Sequence, residues 1–199
     1  MAHYPMAIWE PTKAINWGPG PMAKPPYGLL LHITDGAWVG KDKVLGDIKF
    51  MTSTFDSRHI STHFAIAKNG SVWQFVDTDQ SARALGGSYR DTKWISVENF
   101  ALPGEALTGP QLASVANLYA WLIRTTGMFM NIVDVTKPAA AFDSGKEQGL
   151  GGHSMFKDNP DRTDCPGSGI LSQRSLIMAM VASMVFLKSA PASDRDSKY

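Results

Sequence analysis

The sequence predicts one α/β domain, in which a mixed central β-sheet is flanked by helices. Three observations lead there. Tyr27-Gly-Leu-Leu-Leu-His-Ile33 is a continuous apolar run, as a strand buried on both faces requires. The runs His63-Phe-Ala-Ile-Ala67 and Ser71-Val-Trp-Gln-Phe-Val76 flank Lys68-Asn69-Gly70, a hairpin signal that makes the sheet mixed rather than purely parallel. Segments with apolar residues at helical spacing alternate with these strands.

Taken in chain order, residues 1–26 carry Pro5, Pro11, Pro19, Pro21, Pro25 and Pro26, which deny a long helix and predict an extended arm wrapped over the domain. The buried strand follows. Lys43 to Phe50 places Val44, Leu45, Ile48 and Phe50 at roughly helical spacing and predicts a short amphipathic helix. In the hairpin, Asn69 and Gly70 both accept positive φ cheaply. Trp94-Ile-Ser-Val-Glu-Asn-Phe100 reads as another strand, carrying Glu98. Thr108-Gly-Pro-Gln111 fits a capping box, and Leu112, Val115, Ala116, Tyr119, Leu122 and Ile123 continue it as a helix from about Gly109 to Arg124. The most apolar segment, Leu176 to Leu187, falls short of the roughly 20 residues that span a bilayer, so it predicts a buried C-terminal helix over 175–188 rather than membrane insertion. The domain itself is thus expected over 27–188, and 189–199, small and polar, as a loose tail.

Composition narrows the function. With 199 residues, 44% apolar and 19% charged, the chain is long enough for one real core. Nineteen Lys+Arg against 18 Asp+Glu, without a basic run, exclude a nucleic-acid partner on electrostatic grounds. Met1 to Trp9 has neither a basic n-region nor an apolar h-region, so no cleavable signal peptide is read. A single cysteine cannot close an intrachain disulfide, which leaves Cys165 as packing, a reactive thiol or a metal ligand.

Few residues can carry chemistry. His32 ends the first buried strand, where α/β proteins place ligand-handling groups. His153 follows the permissive Leu150-Gly-Gly152, and Cys165 lies in the turn-rich Arg162-Thr-Asp-Cys-Pro-Gly167. Two imidazoles and a thiol are donors that zinc favours, and three protein ligands leave a fourth position for water. Taken alone, such a triple is more often core packing than a metal site.

The order of the parts carries more. A strand ending in His32, a Ser61-Thr-His-Phe64 strand start before an Asn-Gly hairpin, Trp94-Ile-Ser-Val-Glu98, then Gly152-His153 leading to Arg162-Thr-Asp-Cys-Pro-Gly167, resembles the zinc-dependent N-acetylmuramoyl-L-alanine amidases. That family includes phage amidase endolysins and peptidoglycan-recognition proteins. The resemblance spans roughly Tyr27 to Gly167 and implies their fold, with Zn2+ held by His32, His153 and Cys165. Some relatives use Asp as third ligand, and Asp164 is adjacent, but Cys165 directly precedes Pro166-Gly167 as the family's ligand does. The resemblance further implies that Glu98 handles the water proton and that Thr163 donates to the oxyanion, at a position where many bacterial relatives have Lys. Thr62 stands where some relatives have Tyr, and Ala84 where they have a His. Thr62 and His63 are candidates for substrate contact, and His63 is equally well a structural His opening a strand. His3 and His59 have no motif and are expected at the surface.

The implied function is hydrolysis of the amide between N-acetylmuramic acid and L-alanine in peptidoglycan, outside the cytoplasmic membrane. An endolysin released through a holin, or an antibacterial effector delivered by a secretion machine with a delivery or immunity protein as partner, fits that substrate. The alternatives are a cytoplasmic enzyme recycling anhydro-muropeptides, a peptidoglycan-binding module without hydrolysis, and a cysteine hydrolase using Cys165 as nucleophile.

Overall fold

The computed structural model describes residues 3–13, 16–35, 48–158 and 164–186. Eight strands appear among them: β1 (Ala7–Trp9), β2 (Trp17–Pro21), β3 (Gly28–Ile33), β4 (Phe64–Ile66), β5 (Val72–Gln74), β6 (Gln80–Ala82), β7 (Trp94–Asn99) and β8 (Gly149–Gly152). Helices α1 (Ile48–Arg58), α2 (Gly109–Thr126), α3 (Ala139–Asp143), α4 (Ser168–Ser172) and α5 (Arg174–Phe186) join them, with short 3-10 turns at Tyr89–Thr92 and His153–Met155. The main sheet has the order β1-β5-β4-β7-β3-β8, and β2 pairs with β6 in a second, two-stranded sheet. β3 runs parallel to both β7 and β8, β7 parallel to β4, and the β4/β5 hairpin supplies the antiparallel pair. This is the mixed sheet that the sequence predicts.

The apolar run of β3 is buried at all six positions because the sheet is covered on both sides. Leu29, Leu31 and Ile33 face a core completed by α2 and α5. Leu30 faces the opposite way, into a cluster with Trp94, Leu85, Met155 and Phe156. Alternation therefore puts His32 on the Leu30 side.

α2 begins where its cap is predicted. The Thr108 hydroxyl accepts the Gln111 N–H while the Gln111 side chain accepts the Thr108 N–H, a closed capping box. It runs two residues beyond Arg124 and ends on Gly127 in the left-handed region, whose N–H bonds the Ile123 carbonyl at 3.1 Å.

Four expectations change. In the hairpin, positive φ falls on Gly70 and not on Asn69. The Gly70 N–H donates to Ala67 and the Ala67 N–H to Ser71, so a type I turn followed by one left-handed residue replaces the two-residue turn. Most of the helix expected over Lys43 to Phe50 lies outside the described residues, and α1 continues past it to Arg58. Met51 and Phe55, one helical turn apart, anchor that polar extension in the core.

The arm is more than a wrapping. β1 pairs in parallel with β5 at the edge of the main sheet, and Tyr4 is buried with its N–H on Gln74 Oε1 at 2.8 Å. α5 is buried on one side only: Ile177 and Val181 pack inward, whereas Leu176 and Phe186 are 51% and 60% exposed. Among the described residues no helix is long and apolar enough to cross a membrane. The tail expected over 189–199 lies outside the described residues.

Candidate metal centre and active site

Parallel register builds the site. His32 is the fifth residue of β3 and pairs with Glu98 of β7, so both side chains stand on the same face near the carboxyl ends of their strands. Glu98 in turn pairs with Ala65 of β4, whose small side chain leaves room beside the carboxylate. On the other flank Leu31 pairs with Gly152, the last residue of β8. The next residue, His153, thereby arrives beside His32.

The ring centroids of His32 and His153 are 4.6 Å apart, inclined at 55°. Cys165 completes the cluster: one donor atom from each of the three side chains lies within 4.8 Å of the others, and all three residues are buried. Asp164 is exposed and takes no part in that cluster. Glu98 Oε1 lies 4.0 Å from His32 Nδ1, with its side chain 16% exposed. It sets a partly exposed carboxylate beside an otherwise enclosed nitrogen and sulfur set. On donor chemistry, two imidazoles and one thiol fit zinc better than magnesium or calcium, which take oxygen ligands.

Main-chain bonds hold the cluster in place. The Ile33 N–H donates to Cys165 Sγ at 3.4 Å, a contact that favours the thiolate over the thiol. The Asn99 side-chain amide donates to the His32 carbonyl at 3.0 Å and fixes the strand end. The Ser154 N–H donates to the Cys165 carbonyl at 2.6 Å, tying the two ligand-bearing turns together. Gly152 lets them approach: a Cβ there would sit 2.6 Å from Pro166 Cδ.

His63 is fully buried. Its Nδ1 accepts the Ser96 N–H at 3.1 Å and its Nε2–H donates to the Gln80 carbonyl at 2.9 Å, which sets the neutral tautomer. Burial pushes its pKa down to about 4, against the weaker opposing effect of the Gln80 bond. The Thr62 hydroxyl donates to the Ser96 carbonyl at 3.0 Å. Both side chains stitch the start of β4 to β7, and neither joins the His32, His153 and Cys165 cluster. Thr163 lies outside the described residues. His3 is exposed, as expected, with Nε2 2.6 Å from Asp77 and its ring stacked on Trp9 at 3.9 Å. His59 is exposed, as expected, and takes a left-handed φ of 52° after α1.

Sequence reasoning missed the supports. Asp91 is buried and accepts the N–H groups of Ala84 and Leu85 at 2.9 and 2.7 Å, holding the segment after β6. Burial raises its pKa to about 6, more than these amides lower it. Asn99 carries no pattern that would separate it from an ordinary strand residue. Ser88, which caps the 3-10 turn bearing Asp91, was the local signal available.

The fold is similar to several solved structures. The AmpD selenomethionine derivative aligns with a TM-score of 0.57 at 19% identity, over 89% of this chain and 96% of that one. The amidase LysC from Clostridium intestinale URNW gives 0.55 at 16% identity, over 88% and 97%. The Staphylococcus aureus hydrolase AmiA in complex with its ligand gives 0.61 at 14% identity, over 94% and 86%. A sequence search of curated proteins finds no match. The N-acetylmuramoyl-L-alanine amidase family model matches residues 22–168, well over half of the sequence, with the His32, His153, Cys165 cluster and Glu98 inside it. This chain therefore belongs to the N-acetylmuramoyl-L-alanine amidase family and is an amide hydrolase of that class.

Proposed function

We propose that the protein is a zinc-dependent enzyme that cleaves the amide between N-acetylmuramic acid and L-alanine in polymeric peptidoglycan. The observation that carries this reading is the convergence of His32, His153 and Cys165, with Glu98 at its open edge. His32 and His153 would hold the metal as neutral imidazoles and Cys165 as thiolate. When bound there, zinc supplies a Lewis acid that polarises the scissile carbonyl and lowers the pKa of water from about 15.7 toward about 7.

The remaining work falls to side chains. Glu98 takes the proton of the attacking water and returns it to the leaving amine as the carbon–nitrogen bond breaks. Its side chain is 16% exposed, within reach of solvent. Thr163, two residues before Cys165, is assigned a hydrogen bond to the oxygen that gains charge. A hydroxyl brings no positive charge, so it stabilises that oxygen less than a lysine would.

Digestion of purified sacculi tests the reaction. New alanine amino termini should appear without new reducing sugar ends, and the activity should vanish with chelator and return with zinc. Reducing ends in place of amino termini would sink the assignment. Thr163 and the altered Ala82 to Gly86 segment favour the wall polymer over small recycling substrates, consistent with an endolysin or a delivered effector. Faster turnover of soluble anhydro-muropeptides than of sacculi would reverse that preference.

A further inference from the structure

The 3-10 turn Tyr89–Thr92 makes no contact that the hydrolysis itself requires, yet it grips two neighbouring segments at once. Inward, Asp91 holds the amides of Ala84 and Leu85, and Leu85 is buried in the cluster that contains Met155 and Phe156. Outward, Arg90 reaches the segment that begins at His153. Its guanidinium lies 4.6 Å from the Phe156 ring centroid and bonds Asp158 through two nitrogens, at 2.9 and 2.6 Å. Asp143 of α3 orients the same guanidinium through two further bonds, at 2.7 and 2.9 Å. Phe156 is packed from its other sides by Trp94 and Phe142.

His153 needs such support. β8 ends at Gly152, and the turn that follows has no side-chain cap; its near end is tied by the Ser154 N–H on the Cys165 carbonyl at 2.6 Å, and it closes with the Phe156 N–H on the His153 carbonyl at 3.1 Å, which leaves the far end to Phe156 and Asp158. A ring held on a three-residue turn swings with that turn. Fixing Phe156 and Asp158 fixes the turn at its far end, three and five residues after the imidazole. An arginine suits this task because its planar fork meets two carboxylates and a ring face together, which a lysine cannot.

We propose that Arg90 is a positioning residue: it clamps the Phe156 to Asp158 end of the turn and so holds His153 at the distance from His32 and Cys165 that metal binding needs. This rests on the zinc reading above. Asp158 is the informative partner, since its side chain is 54% exposed and contributes little to the fold.

The test compares zinc affinity, by chelator competition, with the thermal midpoint of metal-free protein, for wild type, Arg90→Lys and Asp158→Asn. Thr108→Ala, at the α2 cap, serves as a control that destabilises the fold through a residue bonded to neither the His32, His153, Cys165 cluster nor Arg90. Arg90→Lys should weaken zinc binding about 10-fold or more, in the range of lost outer-shell support. Asp158→Asn should weaken it several-fold at an unchanged metal-free midpoint, and kcat should fall more than KM changes. The control should lower the midpoint and leave zinc affinity alone. Wild-type affinity in both site variants would overturn the proposal, whatever their midpoints, and so would an equal loss in the Thr108→Ala control. Wild-type protein that takes up no zinc would overturn the zinc reading, and this one with it.

Discussion

The buried imidazole of His63 makes a quantitative prediction that separates a structural histidine from a substrate contact. Its pKa is pushed down to about 4 in the folded chain by burial, against about 6.5 in an unfolded one. Between these values the unfolded chain binds a proton that the folded chain refuses. The stability that neutral His63 contributes is therefore complete above pH 6.5 and is lost as pH falls toward 4. At up to about 1.4 kcal/mol per pH unit, and with the unfolded imidazole already half protonated at the start, lowering the pH from 6.5 to 4.5 removes about 2 kcal/mol. Asp91 works in the opposite sense: its pKa is raised to about 6, so the folded chain takes up the proton first. Acidification from pH 7 to 4.5 returns about 2 kcal/mol through it, and the two effects nearly cancel in the wild type. Urea unfolding of chelator-treated wild type and His63→Gln across this range isolates the histidine. At pH 7 the variant should lose about 1–3 kcal/mol, the usual cost of disturbing a buried hydrogen-bonded pair. The gap should then shift by about 2 kcal/mol in the variant's favour by pH 4.5. A gap independent of pH would refute the reasoning. A variant with wild-type stability and a raised KM would instead put the imidazole in the cleft.

Three further outcomes concern the site. Cys165→Ser should cost most of the zinc affinity and the hydrolysis while circular dichroism stays native, because the hydroxyl is a poor ligand at neutral pH; retained activity after alkylation of Cys165 would contradict this. Glu98→Gln should keep zinc at wild-type stoichiometry and lower kcat by about 10²–10⁴-fold, and a variant that loses zinc and rate together would make Glu98 a ligand instead. Gly152→Ala drives a Cβ to 2.6 Å from Pro166, a ring that cannot swing away, so it should weaken zinc binding and lower stability by about 1–3 kcal/mol; wild-type binding would show that the ligand turns move independently.

What was legible in the sequence depended on the range of the interaction that wrote it. The α2 cap rests on residues three apart, and Thr108 and Gln111 declare it. The hairpin was legible too, but Asn-Gly suits more than one turn, and the choice between them lay in two main-chain bonds. α1 beyond Phe50 was hidden because only Met51 and Phe55 of that stretch enter the core, which leaves no periodic stripe to read. The apolar α5 misled in the other direction: hydrophobic residues all round suggest full burial, yet only Ile177 and Val181 are buried, while Leu176 and Phe186 stay exposed. At the site, the donors His32, His153 and Cys165 stand out by chemistry, whereas Arg90, Asp91 and Asn99 act through bonds that no helical or strand periodicity records.

The end of β3 shows why the register of this sheet matters more than any one contact in it. His32 presents its imidazole to the cluster, while the following residue gives its main-chain N–H to Cys165 Sγ. Two consecutive residues thus serve the first and third donors, one by side chain and one by backbone. A slip of one residue along β3 would turn His32 toward the α2 and α5 core and bring Ile33 to the cluster. Gly28 opposes such a slip at the other end of the strand. A Cβ at that position would overlap the Gly149 carbonyl of β8 and lie 2.6 Å from the Trp94 ring of β7. Only glycine fits between those neighbours, so the tight passage at residue 28 fixes the face on which residue 32 emerges. Because β7 and β8 are both parallel to β3, the same registration carries Glu98 and the approach to His153 into place.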